Sequence, residues 1–302
     1  LRRQILLGDD HASGSGGGTA SERQERKCQE EEAHERNRQS NLHGRVYHVA
    51  LAAAILATQK RAAHEWDMRL LLILLVLPLF AGPAYAYLPL PPAMIALESP
   101  AGQNLFFDAG AKAAYWPLSA HYETQENQAF CGIASLVMVL NSLDISAPQP
   151  TGFAPYRFFT QDDLFSANGS TIFQAEWIEH HGLTLDQVGQ IATHFGLAVQ
   201  VVHATPDGLP AFRTAAARAL GTPGEYVIVN FKRSVMHEAG YGHISPLAAY
   251  DAKSDRFLIL DVARYKYPPS WVSASDLYAA LDTTDPGNGN ATRGYLIVRS
   301  PK

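Results

Sequence analysis

The chain has 302 residues and a formal net charge of −5 at pH 7, with 24 Lys and Arg against 29 Asp and Glu. That balance excludes the basic patch of a nucleic-acid binder, and no nucleic-acid motif is present. Length alone suggests about two domains, but composition divides the chain differently. Residues 1–67 carry a Gly/Ser run at Ser13–Gly18 and a charged run from Glu22 to Arg38. Such composition cannot bury a core, so this stretch is expected to be a disordered upstream extension outside the mature protein. Val49–Thr58 is apolar but too short to span a bilayer.

Met68 is the first methionine. Arg69 follows it, then the apolar run Leu70–Phe80, then the small-x-small sequence Ala84-Tyr85-Ala86. This is the pattern of a secretory signal peptide over 68–86, cut after Ala86. A membrane anchor is the competing reading, against which the short apolar run argues. The expectation is an exported, periplasmic protein beginning near Tyr87, with no stable membrane anchor and a single domain over 87–302. Of the two cysteines, Cys28 and Cys131, only the second falls in that domain, so no internal disulfide can form. A lone thiol in an oxidising compartment points toward chemistry.

From Tyr87 to Pro100 the chain is proline-rich and reads as an extended lead-in. Ser99–Phe107 and Ala111–Ser119 read as short irregular pieces, with Trp116-Pro117-Leu118 a packed loop. Cys131 opens an apolar helical run, Ile133, Leu136, Val137, Leu140 and Leu143, which the Ala147–Pro150 segment terminates. Thr160–Leu164 and Thr184–Val188 carry capping-box starts, the second helix running to about Phe195. His180-His181 reads as a solvated helix end. Leu197–Val202 is a strand, Leu209–Leu220 a helix closed by Gly221, and Glu225–Phe231 a strand. His243–Tyr250 and Arg256–Val262 form a hairpin around Asp251–Asp255. Ser275–Leu281 is a short helix and Gly294–Val298 a closing strand. Helices first and antiparallel strands last make an α+β fold, a helical lobe packed against a sheet lobe.

The Cys131 segment is where a nucleophile is easily made. A helix N-terminus presents free N–H groups and a positive dipole end, both of which favour the thiolate. Gln125 lies just upstream, where its amide could donate to a developing oxyanion together with the Cys131 N–H. A thiolate mechanism needs a base and a group to orient it. His243 at a strand start and Asp261 at the end of the paired strand supply both, facing each other across the ladder. The competing readings are structural: Cys131 as a small buried hydrophobe, His243 as a satisfied core histidine, Asp261 as a strand-end cap. A metal site from Cys131, His243 and His237 lacks close ligand spacing.

Three stretches carry a resemblance. They are Gln125–Leu143 with its Cys-Gly-x-Ala-Ser-Leu, then Gly242-His243-Ile244-Ser245-Pro246, then the block from Leu260 to Val272. All three resemble the catalytic segments of phytochelatin synthases, over about Tyr87 to Val298. The resemblance implies a papain-like fold acting on glutathione. Cys131 would be the nucleophile, His243 its base, Asp261 the orienter and Gln125 part of the oxyanion hole. The γ-glutamylcysteinyl group would pass to water or to a second glutathione, with glycine leaving. Asp285 and Arg293 fit the family's γ-glutamyl-binding positions, and Arg264, Lys266 and Tyr267 are candidates for holding the acceptor. No cofactor is needed for the chemistry. Heavy-metal ions such as cadmium enter as activator or as the metal–glutathione thiolate. A homodimer is the assembly to test.

The sequence ends at Lys302 without the cysteine-rich C-terminal region of the plant type, so it resembles the short prokaryotic form. In that form hydrolysis is expected to dominate over chain extension. Two alternatives stay open: a papain-like peptidase cutting leader peptides, and a non-catalytic heavy-metal and thiol binding protein.

Overall fold

The computed structural model describes residues 87–143, 145–166 and 174–301. The extension at 1–67, the signal segment at 68–86 and Cys28 lie outside the described residues. The chain divides into two units, 1–82 and 83–302, and every described residue belongs to the second. Among the described residues no helix is long and apolar enough to cross a membrane.

The elements run β1 (Ile95–Ala96), α1 (Pro100–Asp108), α2 (Tyr115–Ala120), α3 (Cys131–Asn141), α4 (Asp163–Ser166), α5 (Ala175–His181), α6 (Leu185–His194) and β2 (Ala198–His203). After them come α7 (Leu209–Leu220), β3 (Glu225–Lys232), β4 (Gly242–Asp251), β5 (Arg256–Ile259), β6 (Ser270–Ser273), α8 (Ala274–Leu281) and β7 (Gly294–Arg299). All seven strands join one antiparallel sheet in the order β1-β6-β5-β4-β3-β7-β2. The α+β class read from the sequence is the class of the structure. Its helices, however, lie on both faces of the sheet. Tyr226 reaches from β3 to Ser142 at the end of α3, whereas Tyr295, opposite Val229, packs on Phe212 of α7. Tyr226 and Val229 are three residues apart on one strand, so they point to opposite faces.

Two stretches read as irregular are helices. The Ser99 hydroxyl accepts from Gly102 N at 3.0 Å and Pro100 occupies the first turn, so α1 starts on a Ser cap followed by proline. Pro117 lies within the first turn of α2, where no intrahelical partner is lost by lacking an N–H. The Thr184 capping box is present: its hydroxyl accepts from Gln187 N and the Gln187 side chain accepts from Thr184 N. The short strands β1 and β6 were not anticipated, because two or four residues show no alternation to read.

Backbone proximity fixes one glycine beside the site. A Cβ on Gly294, the first residue of β7, would sit 2.0 Å from the Val202 carbonyl oxygen of β2. Gly110 has nothing within 4 Å of such a Cβ. Gly294→Ala is therefore expected to destabilise the domain by about 1–3 kcal/mol, a fall in Tm of roughly 3–10 °C, while Gly110→Ala leaves Tm unchanged. Thermal unfolding of the two variants checks this, and equal Tm values would refute the close approach.

Candidate active site

Cys131 is the first residue of α3 and is buried. Two residues of its motif explain how it is held. A Cβ on Gly132 would come within 2.9 Å of Val188 and 3.1 Å of Leu183, so only glycine lets the start of α3 press against α6. The Ser135 hydroxyl bonds the Cys131 carbonyl at 2.7 Å and lies 3.2 Å from the Ile244 carbonyl, tying α3 to β4. The backbone N–H groups of Ile244 and Gly132 act on the Cys131 thiol in favour of its charged form.

Ile244 follows His243, so the thiol and the imidazole are brought to the same end of β4. His243 Nε2 lies 2.8 Å from Asp261 Oδ1 and 2.9 Å from the Ser245 hydroxyl. An ionised carboxylate only accepts, which puts the proton on Nε2 and leaves Nδ1 as the basic nitrogen. Phe231 meets the imidazole edge-on at 5.4 Å.

The hairpin reaches this geometry by a route the sequence did not show. Asp251 pairs with Arg256 and Ala249 with Leu258, then a bulge lets Leu247 pair with Ile259. Continued, the register sets Asp261 opposite Ser245, with His243 two residues beyond on the same face. Without the bulge Asp261 would stand opposite Pro246 and turn to the other face. The pair expected straight across the ladder therefore closes diagonally.

Behind Asp261 lies a residue that the sequence reading missed. Arg233 is buried and donates through Nη2 to both Asp261 oxygens, at 2.9 and 2.7 Å. Its Nη1 donates to Glu238 at 2.7 Å, and the guanidinium lies 5.2 Å from the Tyr267 ring. Burial would raise the Asp261 carboxyl, but His243 and Arg233 outweigh it and hold the group well below the usual carboxylate range. His243 is lowered to about 4, first by burial and then by Arg233. Glu238 is raised to about 7 by burial. Burial also pushes the Cys131 thiol up, against the Ile244 and Gly132 N–H groups and Arg233. Both shifts favour the uncharged forms, a neutral thiol and a neutral imidazole. The helix N-terminus acts in the expected direction, but desolvation exceeds it.

Gln125 is buried and fixed from several sides. Its backbone N–H donates to Val262 O at 2.9 Å, and Tyr122 donates through its hydroxyl to Asp261 O at 2.7 Å. Gln161, another buried residue without a sequence signal, accepts from Glu126 N and donates to Thr124 O. The Gln125 amide nitrogen donates to Asn127 O at 2.8 Å and to the Tyr265 hydroxyl at 3.0 Å.

Asp285 and Arg293 stand 3.6 Å apart, with Asn230 donating to Asp285 at 3.3 Å. Arg293 also donates to Thr284 O. A Cβ on Gly242 would lie 2.9 Å from Arg293 Nη2, so the glycine before His243 makes room for the guanidinium. The expected γ-glutamyl residues therefore sit beside the start of β4. Asn230 had a signal: it is the polar residue in an otherwise apolar buried run from Tyr226 to Phe231.

The three acceptor candidates have different surroundings. Arg264 is exposed, lies 4.4 Å from the Tyr122 ring and donates to Tyr122 O at 3.0 Å. Lys266 is half-buried and faces Glu238 and Gly240. Tyr267 is buried, its hydroxyl accepting from Ala239 N at 2.7 Å. Among the described residues no group of three or more His, Cys, Asp or Glu is placed to hold a metal ion.

These groups make a thiol–imidazole–carboxylate site on an α+β scaffold. The phytochelatin synthase family profile matches residues 85–295, and the chain belongs to that family. Glutathione gamma-glutamylcysteinyltransferase 3 of Lotus japonicus is 35% identical over 225 residues, 74% of this chain and 45% of that protein. Glutathione gamma-glutamylcysteinyltransferase 1 of Triticum aestivum is 36% identical over 214 residues, 70% of this chain and 41% of that protein. The Schizosaccharomyces pombe glutathione gamma-glutamylcysteinyltransferase is 29% identical over 212 residues, covering 69% of this chain and half of its own length. The chain thus spans half or less of each of these relatives.

The neutral resting pair has a measurable consequence. Alkylation of Cys131 by iodoacetamide, followed on its own peptide by mass spectrometry, should be slow near neutral pH and still rising above pH 9. A rate that is already flat from about pH 6 upward would instead mark a preformed thiolate.

Proposed function

We propose that the chain is a papain-like glutathione gamma-glutamylcysteinyltransferase and peptidase. The observation that carries the reading is the His243–Asp261 pair at 2.8 Å, on the strand to which the Ser135 hydroxyl ties the Cys131 turn at Ile244. Family membership and the names of the relatives supply the substrate. As glutathione enters, His243 Nδ1 takes the thiol proton, and the forming imidazolium is supported by Asp261. The thiolate attacks the carbonyl carbon of the cysteinyl–glycine amide. The tetrahedral intermediate collapses, the C–N bond breaks, and the proton returns through His243 to the glycine nitrogen. The γ-glutamylcysteinyl thioester then passes to water or to the amine of a second glutathione. Asp285 and Arg293 hold the ammonium and carboxylate of the γ-glutamyl group.

Heavy-metal ions act in this reading as activators or as part of the substrate thiolate. The pattern at 68–86 supports export to the periplasm, and a homodimer is the assembly to test.

Cys131→Ser should lower glycine release from glutathione by roughly 10³-fold or more, since a hydroxyl at its free pKa is a far weaker nucleophile. Wild-type protein trapped during turnover should carry an adduct on Cys131 equal in mass to γ-glutamylcysteine less water. Glycine release retained in the serine variant would refute the assignment. Cleavage of longer peptides without any use of glutathione would favour a leader peptidase.

A further inference from the structure

Asp285 and Arg293 both sit on the segment at 282–293, which joins α8 to β7. That segment is folded back on itself. Asp285 N donates to Ala291 O and Arg293 N to Thr283 O, each at 2.8 Å, and Thr284 and Thr292 face each other in an antiparallel bridge. The result is a narrow ribbon whose own bonds stay inside it. A two-armed ribbon of this size is barely stable by itself. Where the Asp285–Arg293 pair stands therefore depends on what the ribbon is tied to.

Its side-chain ties run to the start of α6 and the end of β2. Asn288 Nδ2, near the tip, donates to Asp186 Oδ2 at 2.9 Å. The other Asp186 oxygen lies 2.9 Å from His203 Nε2, and His203 Nδ1 contacts the Thr292 carbonyl. Asp186 is in the first turn of α6, which the Thr184 capping box fixes. His203 ends β2 and stands opposite Gly294 of β7. Beyond it the main chain continues the attachment, with Ala204 N donating to Arg293 O at 2.8 Å. The ribbon is thus gripped on both of its arms. One grip is at Asn288, three residues after Asp285, and the other is at Thr292, next to Arg293.

We propose that His203, Asp186 and Asn288 are positioning residues, which set the ribbon so that Asp285 and Arg293 together meet the γ-glutamyl end of the substrate. This rests on the acyl-transfer reading above, with Asp285 and Arg293 as the γ-glutamyl contacts. An ammonium and a carboxylate on one carbon need both partners in place at once. A shift of the ribbon weakens the two contacts together, whereas the thiol and imidazole are carried by α3 and β4 and stay where they are. The network therefore governs affinity and specificity for the γ-glutamyl end rather than the bond-breaking step.

The test uses the full chain, with glycine release from glutathione as readout. Asn288→Asp sets a second carboxylate against that of Asp186 and should raise KM about 10-fold with little change in kcat. Adding Asp186→Asn rebuilds the bond with its direction reversed, since the new amide donates to position 288 and still accepts from His203. The double variant should therefore return KM to within about 2-fold of the wild type. A glutathione analogue without the glutamyl α-amino group cannot use Asp285. The wild type should prefer glutathione to this analogue, and the preference should shrink in Asn288→Asp. Iodoacetamide alkylation of Cys131 needs no γ-glutamyl contact and should keep its wild-type rate in every variant. An unchanged KM and preference in Asn288→Asp would overturn the proposal. So would a joint fall in kcat and alkylation, or a double variant as impaired as the single one, because either marks a merely structural role. Wild-type protein that releases no glycine would overturn the acyl-transfer reading instead. A wild type indifferent to the missing amino group would overturn the γ-glutamyl contacts, and in both cases this proposal falls too.

Discussion

The site depends on the ion pair between Arg233 and Asp261. A carboxylate behind an imidazole orients it only if water is kept away, and a buried carboxylate without a partner is expensive. Arg233 meets both Asp261 oxygens and is itself buried, so the two desolvated charges satisfy each other. Glu238 takes the remaining arm of the guanidinium, and the Tyr267 ring lies 5.2 Å from it. Asp261 can then accept from His243 without carrying an unbalanced charge into the core. Burial, and after it the same guanidinium, opposes protonation of the His243 imidazole.

Packing brings the Cys131 turn to the strand that carries His243. Gly132 lets α3 approach α6, and Ser135 ties the same turn to Ile244 on β4. Gly242 clears the volume that Arg293 occupies on the other side of His243. The glycines and the serine of the two short motifs are therefore spacing devices. They bring the Cys131 turn, the imidazole and the Asp285–Arg293 pair to one end of a strand.

Cys131 is the one cysteine among the described residues, and burial raises its thiol while it lowers the His243 imidazole. Oxidation and adventitious alkylation both need the thiolate, which burial disfavours. Asp261 is placed to support a charge on the His243 imidazole, and the N–H groups of Ile244 and Gly132 act in favour of the thiolate.

Local chemistry was legible wherever it acts over a few residues. The capping box at Thr184, the α3 helix with its buried face and the hairpin around Asp251–Asp255 follow from spacing and side-chain type, and the same reading makes Cys131, His243 and Asp261 candidates. The Ser-Pro start of α1 was equally local and was passed over. Arg233 was not legible, because a basic residue after a strand has no pattern that distinguishes burial from solvation. The diagonal closure of His243 on Asp261 was not legible either, since a bulge at one position changes which face a residue two turns of the pleat away will join. Gln125 was a candidate by sequence, but the partners of its amide, Asn127 and Tyr265, were not legible, the latter being 140 residues along the chain. Sequence by itself determined which reactive groups the protein carries, because reactivity belongs to side-chain type and helix position. Only the tertiary structure decided their protonation and their partners, because burial and pairing are properties of segments that meet from distant parts of the chain.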